Sequence, residues 1–272
     1  MKTFISKTSI VRKIWSTTDI TLFIFAGASA EFALNRQVHW LYFTGKLPAD
    51  PVGRLFSTIR YAQQIIFSAE GEAVDAISRI NKIHHGVEAA RGREIPAAAY
   101  KDVLYMLIYY SIKSFELLER KLTIEEKDEI VLTFAKIGSG MGIQDIPDSY
   151  SEWVSIYEVH LNENLENSLH TRDLFKQYRR QLGAFRYFIL LEIQRLLVGE
   201  RVNRLLRLGR PLLANWFVPA YRLVRRYDLS KLFIQVLVPN KFRGQLKSMD
   251  ERNTSRAKDK EYDMAESAEF SH

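Results

Sequence analysis

Asp50-Pro51-Val52-Gly53-Arg54-Leu55-Phe56-Ser57-Thr58 reads as the opening of a helix, and the rest of the chain can be read outward from it. Asp50 offers the side-chain oxygen of an N-cap. Pro51 falls at the first helical position, where its missing N–H leaves no bond unmade. The apolar pattern continues to about Ser68, and Gly71 marks a short break. A second helix then runs to about Ala90. Along it Ala73, Ile77, Ile80, His84 and Val87 share one inward face, whereas Ser78, Asn81, His85 and Glu88 fall on the polar side.

The same helical pattern extends in both directions. Toward the N-terminus, a helix begins after Ser16-Thr17-Thr18-Asp19, any of which could cap it, and runs to about Phe43. Toward the C-terminus, the stretch 91–96 is a loop and 97–121 a long apolar helix. Thr123-Ile124-Glu125-Glu126 starts the next helix, which stops at the Gly138-Ser139-Gly140-Met141-Gly142 cluster. Pro147-Asp148-Ser149 opens a helix through Trp153. Residues 171–208 are helical with a break at Gly183, and Gly209-Arg210-Pro211 interrupts them. Pro219 and Pro239 kink or end later segments. No run alternates apolar and polar residues long enough to demand a strand. Short loops between long helices favour antiparallel neighbours. The expected fold is therefore all-α, a single multi-helix bundle domain over 1–246. Residues 247–272, charged, serine-rich and poor in apolar groups, read as a disordered tail.

Composition narrows the chemistry. With 272 residues, 47% hydrophobic and 26% charged, the chain can bury a substantial core. It has no cysteine, which excludes disulfides, zinc–thiolate sites, iron–sulfur clusters and thiolate-ligated haem, and fits a reducing, cytoplasmic setting. The net charge of +7 is uneven: residues 174–226 hold twelve Lys and Arg against Glu192 and Glu200. Residues 137–171 hold no Lys or Arg, but carry Asp145, Asp148, Glu152, Glu158, Glu163 and Glu166. These two segments either face each other or are solvated; otherwise the basic one is a surface for anionic lipid. Nucleic acid is not expected as a partner, because no recognition motif accompanies the charge. The N-terminus has basic residues, an apolar run over 20–30 and Ala28-Ser29-Ala30, as a signal peptide would. Asp19 directly before the apolar run argues against export. No stretch has the uninterrupted apolar length of a spanning helix, although peripheral membrane contact stays open.

Four residues are candidates for a site. Arg54 and Thr58, at i and i+4, share a helix face, and His84 lies on the inward face of the following helix. An inward histidine either hydrogen-bonds a backbone carbonyl or ligates a metal. Arg54 either pairs with Asp50 or Glu31 or holds an anion, and Thr58 either bonds back to the Arg54 carbonyl or faces a ligand. Together they suit a group that is anionic and has a coordinating centre. Haem has both, its iron taking an imidazole and its propionates taking arginine and hydroxyl donors. Glu31 stands in the otherwise apolar run 23–34. It pairs with Arg36 or Arg54, or is a buried carboxyl available for acid–base work. Gly27, Ala28, Ser29 and Ala30 allow close approach by a helix or a flat cofactor. His39 is a packing or hydrogen-bonding residue beside Trp40 and Tyr42, and His160 and His170 are solvated or capping. There is no His-Glu-x-x-His pair, phosphate-binding Gly-x-x-x-x-Gly-Lys loop or Gly-x-Ser-x-Gly elbow. A non-catalytic alternative rests on Leu205, Leu206, Leu208, Leu212, Leu213, Trp216 and Phe217 beside the arginines: a helical protein that binds lipid or docks on anionic membrane.

The 50–58 stretch, followed by Arg79-Ile80-Asn81-Lys82-Ile83-His84-His85-Gly86-Val87, resembles the catalytic domain shared by rubber oxygenases (latex-clearing proteins) and the MpaB-type ER-bound oxygenases. The resemblance extends over about 19–245. It implies an all-helical domain that binds haem b and uses dioxygen on an apolar, isoprenoid or fatty, substrate. It further implies His84 as the proximal iron ligand, with Arg54 and Thr58 lining the haem pocket. Glu31 stands at a polar position that the family often fills with Gln or Glu. Rubber oxygenases carry a lysine just before the threonine, where this chain has Ser57.

Overall fold

A computed structural model of the chain describes residues 2–37, 41–42, 45–212, 219, 221, 223, 225, 238–241 and 243. The helices are α1 (Ile10–Ser16), α2 (Thr18–Leu34), α3 (Lys46–Ala49), α4 (Pro51–Phe67), α5 (Glu70–Arg91), α6 (Ala97–Leu118), α7 (Ile124–Gly140), α8 (Tyr150–Asn164), α9 (Leu169–Leu197) and α10 (Glu200–Leu206). Among the described residues the only β-type pairing is two isolated bridges, Thr3 with Ala69 and Asn35 with Leu165. The all-α expectation holds. The proposed tail over 247–272, and His39, lie outside the described residues.

The fold is organised on α2. It is apolar all round, as a helix enclosed on every side must be, and Ile20, Ile24, Ala30, Ala33 and Leu34 are fully buried. It packs most extensively on α6 and then on α9, with α1, α4 and α10 completing the enclosure. α4 and α5 lie side by side, so the Arg54 and His84 helices are neighbours as the sequence implied. Two N-terminal signals are realised as read. The Asp50 side chain accepts from the Gly53 N–H at 3.1 Å, and Thr123 and Glu126 form a reciprocal capping box at the start of α7. α9 runs through Gly183, whose backbone leaves the helical region.

α2 ends about nine residues earlier than its apolar run suggests. Asn35 is extended, and its neighbours pair across the chain: Arg36 N–H donates to the Asn164 carbonyl at 2.9 Å and Glu166 N–H to the Leu34 carbonyl at 2.8 Å. α1, not anticipated as a separate helix, is capped by Ser9 and buries Val11, Ile14 and Trp15 completely. Among the described residues no single helix is long and apolar enough to cross a membrane; α1 and α2 together qualify by length and composition but meet at 89°. Leu205 and Leu206, grouped in the sequence with a membrane-seeking stripe, instead pack on a small core of Ala30, Leu34, Leu165 and Val202. Leu213, Trp216 and Phe217 of that stripe lie outside the described residues.

Candidate functional site

His84 sits in the third turn from the end of α5, half-buried, while His85 is exposed, as their helix faces dictate. The burial of that inward stripe falls off along the helix, from Ala73 and Ile77 in the core to His84 and Val87 near its edge. The His84 ring meets Tyr100 of α6 edge-on at 5.1 Å between centroids. Glu88, one turn on, fixes this contact. Its Oε1 accepts the Ile95 N–H at 2.9 Å and the Tyr100 hydroxyl at 3.4 Å, and its Oε2 faces His85 Nδ1 at 2.9 Å. Loop 92–96 and the start of α6 are thereby tied to the last turns of α5.

The Nδ1 atom of His84 is buried and has no hydrogen-bond partner, so the backbone-carbonyl reading of this residue is not what Nδ1 does. Burial pushes the imidazole pKa down and nearby Arg54 and His85 push the same way, against the opposing pull of Glu88. The ring is therefore neutral near pH 7, the form in which imidazole ligates a metal.

Arg54 stands on α4 close enough for its charge to act on His84. Neither expected acid pairs with it: Asp50 takes Gly53 and Lys241, and Glu31 lies elsewhere. Thr58 adopts the local option and donates its hydroxyl to the Arg54 carbonyl at 3.1 Å. The structure thus brings Arg54, Thr58 and His84 onto two adjacent helices.

Glu31 is separate from them. Its ring of neighbours comes from α6 and α8: Tyr157 donates to Oε2 at 2.6 Å and Tyr110 at 3.0 Å. The sequence expectation of an arginine partner fails, since Arg36 turns out to Glu166 at 3.2 Å. Desolvation lifts the Glu31 pKa from the ordinary 4.5 to about 8, and the two tyrosine bonds only partly offset it, with Asp102 adding to the rise. Glu31 is a carboxylic acid, not a carboxylate, at neutral pH. Gly27, one turn earlier, makes this possible, because a Cβ there would overlap the Tyr110 ring. Close helix approach is the reason for at least this member of the small-residue run.

A second buried polar cluster lies close enough for its Asp102 to act on Glu31 by charge, and the sequence pattern did not single it out. Buried Asp102 accepts from Asn35 through Oδ2 and pairs with His160 Nε2 through Oδ1. Asn164 donates to His160 Nδ1 at 3.2 Å, which assigns the ring proton to Nε2. His160 is therefore neither solvated nor a cap; it joins α8 to α6. The only local signal was an aspartate and a histidine on otherwise apolar helix faces.

The apolar cavity of about 120 Å³ lies on the other side of α4, between α2, α4 and α9. Leu22, Ala26, Leu55, Ile59, Ile189 and Leu190 are among its walls. None of Glu31, Arg54, Thr58 and His84 lines it, so α4 separates the cavity from the Arg54–His84 face. Among the described residues no three His, Asp or Glu side chains converge as a metal-holding group.

The family model for the catalytic domain of the ER-bound oxygenases mpaB/B′ and rubber oxygenase matches residues 15–231. No curated protein and no solved structure matches the chain. The matched span includes the helices that carry Glu31, Arg54, Thr58 and His84. The chain belongs to the mpaB/rubber oxygenase catalytic-domain family, a family of oxygenases.

Proposed function

We propose that this chain is a haem b-dependent oxygenase that acts with dioxygen on an apolar, isoprenoid or fatty, substrate. The observation that carries the reading is the buried Nδ1 of His84, without a partner, on a neutral ring beside the cation of Arg54. A haem asks the protein for an imidazole on iron and for donors to its propionates, and the residues present fit that demand. His84 would hold the iron. Arg54 would face a propionate, and Thr58 would line the pocket, its hydroxyl hydrogen being committed to the Arg54 carbonyl. Haem, when bound, supplies the redox-active iron that dioxygen chemistry needs.

The rest falls to the polypeptide. Tyr100, held by Glu88, fixes the His84 ring edge-on. Glu31 holds a proton in a site closed to solvent, where the hydroxyls of Tyr110 and Tyr157 both donate to its Oε2.

The test is the absorption spectrum and iron content of the purified protein, with haemin added where the protein emerges colourless. A Soret band is expected. It is lost in His84→Ala and kept in His85→Ala, the exposed neighbour. A protein that stays colourless after haemin addition, or a band indifferent to His84→Ala, overturns the reading.

A further inference from the structure

Gly183 interrupts α9 at φ 75° and ψ 169°, a conformation open essentially to glycine alone. Past this kink the helix has two unlike sides. Ile189, Leu190 and Ile193 line the apolar cavity, as does Leu182 just before the kink. The solvent-facing side next to that stripe carries Phe185, 62% exposed, and Phe188, 40% exposed, three residues apart and so on one face. Glu192 continues that line but is buried, and its Oε2 accepts the Leu212 N–H at 2.9 Å. This bond lays Leu212, 71% exposed, at the far end of the same strip. Exposed arginines stand at both ends: Arg179 and Arg180 before the kink, Arg207 and Arg210 before Leu212. Single exposed apolar residues are ordinary, but three on one line between arginine pairs are an amphipathic surface.

We propose that the strip Phe185–Phe188–Leu212 with its flanking arginines docks the protein on an anionic lipid bilayer. The phenyl and leucine side chains enter the acyl boundary, and the guanidinium groups meet lipid phosphates. Charge selects this occupant. Residues 174–226 carry twelve Lys and Arg against two Glu, so a second copy seated on the strip would bring like charges together, whereas an anionic surface neutralises them. The cavity then lies within about one helix diameter, about 10 Å, of a phase in which apolar molecules dissolve. The inference stands apart from haem binding, since the vesicle assay reads any folded protein.

Co-sedimentation with phosphatidylcholine vesicles, with and without phosphatidylserine, tests it on the full chain. Pelleting is expected with phosphatidylserine only, and is expected to fall as salt rises. Phe185→Ser with Phe188→Ser is expected to weaken partitioning by about tenfold or more, and Arg179→Gln with Arg180→Gln by about thirtyfold. All four positions are exposed, and circular dichroism of each double variant checks that the fold is kept. Failure to pellet with phosphatidylserine, or equal pelleting of wild type and both variants, overturns the proposal. So does self-association in sedimentation velocity that the phenylalanine variant abolishes, because the strip would then be a contact between copies.

Discussion

Replacing Glu31 by glutamine should remove a defined pH dependence from the stability of the protein. In the folded state the carboxyl titrates at about 8 instead of 4.5, chiefly because burial disfavours its charge. In the unfolded chain it loses its proton near the ordinary value. Between these limits the folded state holds one proton that the unfolded state does not, so stability is greatest at low pH and falls as pH rises. The slope is about 1.4 kcal/mol per pH unit, which accumulates to roughly 4–5 kcal/mol by about pH 8 and then levels off. Glu31→Gln cannot titrate, yet its amide oxygen can still accept from Tyr110 and Tyr157. The difference in unfolding free energy between wild type and variant, from urea melts at a series of pH values, cancels most other titrating groups. It should shift against the wild type as pH rises from about 5 to about 8. A difference flat across that range, or one that moves in favour of the wild type, would refute the assignment of a buried neutral acid.

Two further substitutions probe the surroundings of Glu31. Gly27→Ala should destabilise the protein by about 1–3 kcal/mol, read from the urea midpoint, because the new methyl meets the Tyr110 ring in the most extensive helix contact of the fold. Asp102→Ala leaves the Asn35 amide and His160 Nε2 without their acceptor and should cost about 2–4 kcal/mol. By contrast Glu166→Ala, which removes a surface pair with Arg36, should stay within about 0.5 kcal/mol.

The features legible in the sequence are those encoded within one or two helical turns. The Asp50–Pro51 start, the Thr123–Glu126 box, the Gly183 break and the split between His84 and His85 all depend on residues close together in the chain. What was not legible is set by partners far away. α2 stops at Asn35 because that side chain goes to Asp102, 67 residues on, and the adjacent backbone pairs near Leu165. Glu31 binds tyrosines 79 and 126 residues away instead of the arginines nearby in sequence. His160 stood in an acidic stretch and read as solvated, yet packing of α8 on α6 turns it inward to Asp102. Local pattern placed His84 on its face; only the fold shows that its Nδ1 is left without a partner.

Ligation by His84 is tested most directly by chemical rescue. His84→Gly removes the side chain and leaves room for imidazole from solution. The variant purified with haemin should lack the wild-type Soret spectrum, and added imidazole should restore it. A glycine variant whose spectrum matches wild type without imidazole would contradict His84 as the iron ligand, and with it the account of this site.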